Sequence, residues 1–242
     1  MKKYFILALA LTAWMLIGCK GGEQKGETQG DSTQVEGGLM YESADWAFYA
    51  LKGKVKEVSS IRYMVDEDFD VEQSMYDLKD TVRFTPDGEM TIYKDRDADL
   101  TDPMFNNALT RNEQGQVVKY DFTLVQSEDQ FDDRCMMWDG TDLLTFDNRG
   151  RVIKRDYVSY EVSGVVEYTY DAQGLCPTSK GHFTSEGQDI FETYTYEYIS
   201  FDDKGNWIER KQTTEGSNKE YGEENLEEYK EYMVEKRTII YY

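Results

Sequence analysis

One short phrase recurs along this chain: an aromatic residue, an Asp-rich step, a glycine and then apolar residues. It reads FTPDGEMTIYK at 84–94, FDNRGRVIKRD at 146–156 and FDDKGNWIERK at 201–211. A type I turn favours Asp, Asn or Ser at its first position and Gly at its fourth. Gly in that slot takes positive φ and supplies the small bulge that lets a hairpin follow the twist of its strands. Asp147-x-x-Gly150, Asp171-x-x-Gly174 and Asp202-x-x-Gly205 meet the requirement. Gly88 and Gly115 end variants with Thr85 or Asn112 in the first slot, and FTSEG ending at Gly187 is a weaker sixth candidate. The five stronger glycines stand 27, 35, 24 and 31 residues apart. Each interval has room for two strands and a return loop, so the expected product is an antiparallel meander of stacked hairpins.

Period-two stretches agree. Val118, Tyr120, Phe122 and Leu124 alternate with Lys119, Asp121 and Thr123. Val166, Tyr168 and Tyr170 form a second such row, and Tyr194, Tyr196 and Tyr198 a third. Rows of this kind are half-buried strands with one wetter face. The expectation is a mainly all-β fold: an antiparallel meander of about 10–12 strands forming one twisted, curled sheet. One face would carry Tyr, Val, Ile and Phe, and the other Glu, Lys and Thr. Ser43 can cap a short helix over YESADWAFYALKG, with Gly53 at its end. Residues 217–233 place Leu226, Tyr229 and Met233 at helical spacing, which fits either a short second helix or an extended acidic loop.

The amino terminus has a different character. Lys2 and Lys3 precede an apolar run of 14 residues, Tyr4 to Ile17. That is short of the ~20 residues a membrane-spanning helix needs, so the run reads as an export signal. The residues Leu16-Ile17-Gly18-Cys19 that follow resemble the lipobox of bacterial lipoproteins. The resemblance implies cleavage between Gly18 and Cys19 and acylation of Cys19; the alternative is an ordinary secreted protein with a chance cysteine. Each buried acyl CH₂ contributes ~0.8 kcal/mol, and more than one chain gives a stable anchor. Residues 20–38 hold six glycines and a single apolar residue, Val35, too little apolar surface to offset the entropy of ordering. This tether has an end-to-end distance of roughly 25 Å. The expected organisation is a signal peptide over 1–18, a lipidated, tethered segment over 19–40, and one β-repeat domain over 41–242.

Losing Lys2 and Lys3 would take the net charge from −21 to −23. Such acidity argues against nucleic acid and against unaided docking on anionic lipid. Attachment through the lipid anchor, with an envelope protein or a glycan as partner, is the expected mode of association. Lys20 after Cys19 carries no Asp-type inner-membrane retention signal, so the outer membrane is the expected location.

The phrases YDAQG, FDNRGRV and FDDKGNWIER resemble the YD repeats of the RHS family, and more closely the small YD-type repeat lipoproteins of bacteria. The resemblance spans residues 51–242 and implies an antiparallel β-repeat domain. It brings no catalytic residues, because the motif consists of turn and strand positions. The repeats are also too few and too irregular to wrap a closed shell.

Chemistry-bearing residues are sparse. His182 is the one histidine and has no hydrolase elbow beside it. Asp95, Asp97 and Asp99 occupy positions 1, 3 and 5 of a calcium-loop pattern. Leu100 then stands where Gly is needed and Asn106 where the bidentate Glu belongs, so a solvated acidic tip is expected and no cofactor is. Cys135 and Cys176 could pair in an oxidising compartment, and no C-x-x-C is present. The glycines are read as belonging to turns or tether. The tyrosine rows are either packing or a stacking surface for sugars or peptides. These features point to a non-enzymatic, lipid-anchored binding or structural module. Two rivals stand beside it: a carbohydrate-handling enzyme or binder using a tyrosine-lined concave face, and an acidic inhibitor or immunity-like partner of a basic protein.

Overall fold

A computed structural model describes residues 41–74, 76–93, 98–99, 109–121, 140–159, 162–221 and 226–242. Among them one short α-helix, α1 (Ala44–Phe48), precedes thirteen antiparallel-paired strands in a single sheet, with a 3-10 turn, Val71–Gln73, between the first two. The strands are β1 (Val55–Val65), β2 (Tyr76–Phe84), β3 (Met90–Tyr93), β4 (Ala98–Asp99), β5 (Leu109–Arg111), β6 (Val117–Asp121) and β7 (Gly140–Phe146). They continue with β8 (Val152–Ser159), β9 (Val162–Thr169), β10 (Thr178–Ser185), β11 (Gln188–Phe201), β12 (Trp207–Glu220) and β13 (Glu227–Tyr241). The all-β expectation holds, with slightly more strands than foreseen.

The order is β4-β3-β2-β1-β13-β12-β11-β10-β9-β8-β7-β6-β5. Chain-sequential neighbours pair everywhere except at two places. The last strand pairs with the first, Val58 opposite Ile239 and Arg62 opposite Glu235, and the meander is interrupted between β4 and β5. Among the described residues the interval from Gly88 to Gly115 holds three strands rather than two. At this seam β4 and β5 are the edge strands, and in this strand order they run the same way.

Helix α1 sits at this seam. Ser43 caps it, accepting from the Trp46 N–H at 3.1 Å, and its hydroxyl donates to the Gly88 carbonyl at 2.8 Å. Asp45, 2% exposed, accepts from the Met90 N–H at the start of β3 (2.6 Å) and from both terminal nitrogens of Arg111 in β5 (2.6 and 2.8 Å). One carboxylate thus ties the two sides of the seam together. The helix stops at Phe48, short of Gly53, because Ala50 turns left-handed (φ 51°) and the Leu51 N–H closes on the Trp46 carbonyl at 2.8 Å. Trp46, Phe48, Tyr49 and Leu51 fill the core with Val58, Val82, Val117, Val166, Tyr168 and Tyr196 from across the curled sheet.

The five predicted turns form as read. Gly88, Gly115, Gly150, Gly174 and Gly205 all have φ between 76° and 85°. Asp147 shows the mechanism: its carbonyl accepts from the Gly150 N–H, and its Oδ1 accepts from the Arg149 and Arg151 N–H groups, both at 2.9 Å. Asp202 repeats this with Lys204 and Asn206. The connectivity places all five at one end of the sheet, around the α1 segment. The sixth candidate is a different turn at the opposite end. Glu186 and Gly187 both take positive φ between the paired Ser185 and Gln188, the two-residue type I′ geometry.

The described residues of 217–233 form strands rather than a second helix. β12 runs on to Glu220, and β13 begins at Glu227. Tyr229, Glu231 and Met233 project inward at period two, opposite Gly216, Thr214 and Gln212. Pairing with β12 along this length buries the inward row against the core, which a single amphipathic helix with three apolar positions would not do.

Candidate functional site

The residues singled out from sequence are dispersed. Gly18 and Cys19, with the signal and tether, lie outside the described residues, as do Asp95, Asp97 and Cys135. Asp99 falls in β4, on the seam edge. No group of three or more His, Cys, Asp or Glu that could hold a metal occurs among the described residues. Cys176 is buried, its thiol donating to the Thr178 carbonyl at 3.2 Å.

The tyrosine rows face the core. Tyr157, Tyr168, Tyr170, Tyr194 and Tyr196 are buried, and burial is the leading cause that raises the hydroxyl pKa of Tyr168, Tyr170, Tyr194, Tyr196 and Tyr198. They pack in or against the core cluster that also holds Trp46, Tyr49 and Leu51.

That inward face also carries charges the composition gave no reason to place inside. Arg62 meets Asp80 at 2.6 Å, and Arg155 grips Asp142 with two bonds of 2.6 and 3.0 Å. Arg210 donates to Glu235, and the Arg210 and Arg237 guanidiniums lie 4.1 and 3.5 Å from the Trp207 ring centroid. Burial alone would raise the Glu235 carboxyl, but Arg210, Arg237 and Arg62 hold it below the usual range. Burial pushes the Arg237 guanidinium down to about 10, against the pull of Glu235. Arginine's long apolar stem and planar fork suit it to such sites. These pairs are internal structure.

The open site lies on the other face, towards the end opposite α1. A groove of about 700 Å³ crosses β9 to β13 at right angles to the strands. Register defines it. One wall is the outward row Glu167, Lys180, Thr193, Glu215 and Lys230, each opposite the next. The other wall is the outward row Val165, His182, Phe191, Ser217 and Glu228. Between them runs the inward row Gly181, Glu192, Gly216 and Tyr229, whose backbone forms the floor.

Glycine makes the floor, and here the sequence reading needs correction: not every glycine belongs to a turn or the tether. A Cβ on Gly216 would lie 2.1 Å from Tyr229 Cζ, and one on Gly181 would lie 2.5 Å from Phe183 Cε2. Neighbouring rings cover these positions from inside and leave no room for a side chain. Under the floor, Tyr229 donates to Glu192 at 2.6 Å and Tyr194 donates to the same carboxylate. Burial, and then the Glu192 charge, push the nearby Glu231 carboxyl up. The two carboxyls sit on the inward face, separated from the groove by the sheet.

The walls differ in chemistry. On the polar wall Lys230 closes on Glu215 at 2.8 Å. On the other, the His182 and Phe191 rings stack at 4.4 Å and 8°, with Phe191 45% exposed. His182 Nε2 lies 3.3 Å from Asp189 Oδ1. Strand-interior glycines mark the close approach of another group, here the Phe183 and Tyr229 rings on the inside, and the outward rows carry no such local signal.

No family model, curated protein or solved structure matches the chain. The functional reading accordingly rests on the residues themselves.

Proposed function

We propose that this chain is a lipid-anchored cell-envelope protein whose β-repeat domain serves as a non-catalytic binding module. The observation that carries the reading is the groove across β9 to β13. Its polar and aromatic side chains face water, while on the inward face Arg62, Arg155 and Arg210 are paired with Asp80, Asp142 and Glu235. A surface of this kind can hold a partner, and it offers no convergent carboxylate pair for acid–base chemistry. The lipobox residues Leu16 to Cys19 support the anchor, the polar stretch over 20–38 supports a tether, and Lys20 supports the outer membrane. The YD-type phrases support a repeat module, because the chemistry that recurs in them is turn chemistry.

Two measurements test the reading. Replacing Cys19 by Ser moves the protein from the membrane fraction to the soluble fraction; continued sedimentation with membrane overturns the anchor. A photo-crosslinking amino acid at Lys180, on the groove wall, gives a discrete adduct in intact cells, whereas the same group at the exposed Lys204, beside the turn at the other end, does not. Identical patterns from both positions overturn the groove as the working surface.

A further inference from the structure

We propose that the groove binds a neutral, extended glycan of β-linked pyranose units. This rests on the binding-module reading and names the ligand class of the same site. Its dimensions follow from the sheet. The two rows are two residues apart along each strand, about 6.8 Å between their Cα atoms, and five strands at about 4.8 Å spacing give a length of roughly 19 Å. One extended chain can lie along the rows for that length, whereas an α-helix about 10 Å across is wider than the rows are apart.

Three features select the occupant. The floor cannot add a strand, because β10, β11 and β12 already pair on both sides. A ligand lying across them is therefore held by side chains, without the backbone ladder that fixes a peptide. Charge is nearly balanced. Glu167, Glu215 and Glu228 face Lys180 and Lys230, and the Glu215–Lys230 pair is closed, in a chain of net charge −21. Such walls neither attract a polyanion nor discriminate strongly for a polycation.

The walls are also complementary to a sugar. One presents Glu, Lys, Thr, Glu and Lys in successive strands, an alternation of acceptors and donors for hydroxyls. The other presents Val165 and the stacked His182–Phe191 pair, an apolar surface for the C–H face of a pyranose. The step from one wall residue to the next is the strand spacing, close to the length of one β-linked pyranose unit. Each sugar thus meets one polar residue on one side and the opposite wall on the other.

The test is calorimetric titration of the detergent-solubilised full-length protein with neutral β-linked oligosaccharides: cello-, xylo-, manno- and chito-oligomers of two to eight units. At least one series binds, gains affinity up to four or five units and then levels off, and changes less than twofold between 50 and 500 mM salt. Phe191→Ala weakens that binding at least tenfold, and Thr193→Trp, which fills the polar wall, abolishes it; both variants keep the wild-type melting temperature. No binding by any series overturns the proposal, as does binding that either folded variant leaves intact. Binding of a lysine-rich decapeptide in place of sugar, lost at high salt, assigns the groove to a basic peptide and overturns the glycan. A concentration-dependent dimer that Thr193→Trp breaks does so in favour of a second copy. If no sugar binds but the Lys180 cross-link forms, the binding-module reading stands and the glycan alone falls; if neither occurs, both fall.

Discussion

The two ends of this sheet solve opposite problems with the same strands. At the seam end, α1 drives Trp46, Phe48 and Tyr49 into the core, and Asp45 locks β3 to β5. At the groove end, Gly181 and Gly216 remove side chains from the inward row, and polar groups stand in water on the outward rows. The first end concentrates stabilising contacts. The second holds few groups whose removal would disturb the fold. A protein that keeps its stability away from its open surface can vary that surface at little structural cost.

The largest expected effect comes from alkali and reaches the core under both ends, because burial also raises Tyr194 beneath the groove. Burial raises the hydroxyl pKa of Tyr41 to about 12 and raises those of Tyr49, Tyr168, Tyr170, Tyr196 and Tyr198 as well. For a group whose folded value lies above its unfolded one, the linked stability is fully present below the unfolded value, about 10 for tyrosine. It is lost as pH rises towards the folded value. Denaturant midpoints are therefore flat from pH 8 to 9.5 and fall steeply above 10. Tyrosinate absorbance appears together with unfolding rather than ahead of it. Gradual ionisation of most tyrosines in a still-folded protein would contradict the packed tyrosine core.

Next in size is the clasp. Asp45→Ala leaves the Met90 N–H and the Arg111 guanidinium without their acceptor, and breaking a buried pair from one side costs about 3 kcal/mol. The loss is read from chemical denaturation. A change under about 1 kcal/mol would mean that the seam is held by apolar packing alone.

How far the sequence reveals these ends also differs. The turns were legible because their chemistry is local: Asp147 and Gly150 satisfy one another within four residues. The capped helix was legible for the same reason, through Ser43. The pairing of β13 with β1 was not, since no local signal joins Val58 to Ile239; it is a consequence of how the whole sheet curls. The burial of Arg62, Arg155 and Arg210 has no local signal either, because charge normally marks the wet face. Their burial depends on acids supplied by neighbouring strands. The groove was hidden because period two reports faces, not curvature, and its glycines were taken for punctuation.

A smaller effect tests the turns that surround α1. Gly150→Val puts a β-branched residue at φ 80°, a conformation that costs of order 1–3 kcal/mol for such side chains. The same change at Gly205 gives a similar loss, because both turns carry the same Asp-centred hydrogen bonds. Unequal losses would show that the contacts of Asn206 with Lys52, its amide accepting from the Lys52 N–H at 2.8 Å and donating to the Lys52 carbonyl at 2.9 Å, change the response of the second turn.

The smallest expected effect bears most on function. Phe191 is 45% exposed and its ring contact is with His182 on the neighbouring strand. Phe191→Ala therefore changes stability by no more than about 0.5 kcal/mol, the range of surface substitutions away from special features. Measured beside Asp45→Ala, this gives a contrast of several-fold between the two ends. If Phe191→Ala instead destabilises as much as the clasp variant, the outward row belongs to the core of the fold, and the division between a stabilising end and an open end collapses. If it does not, the outward row over the groove can change without disturbing the core beneath it.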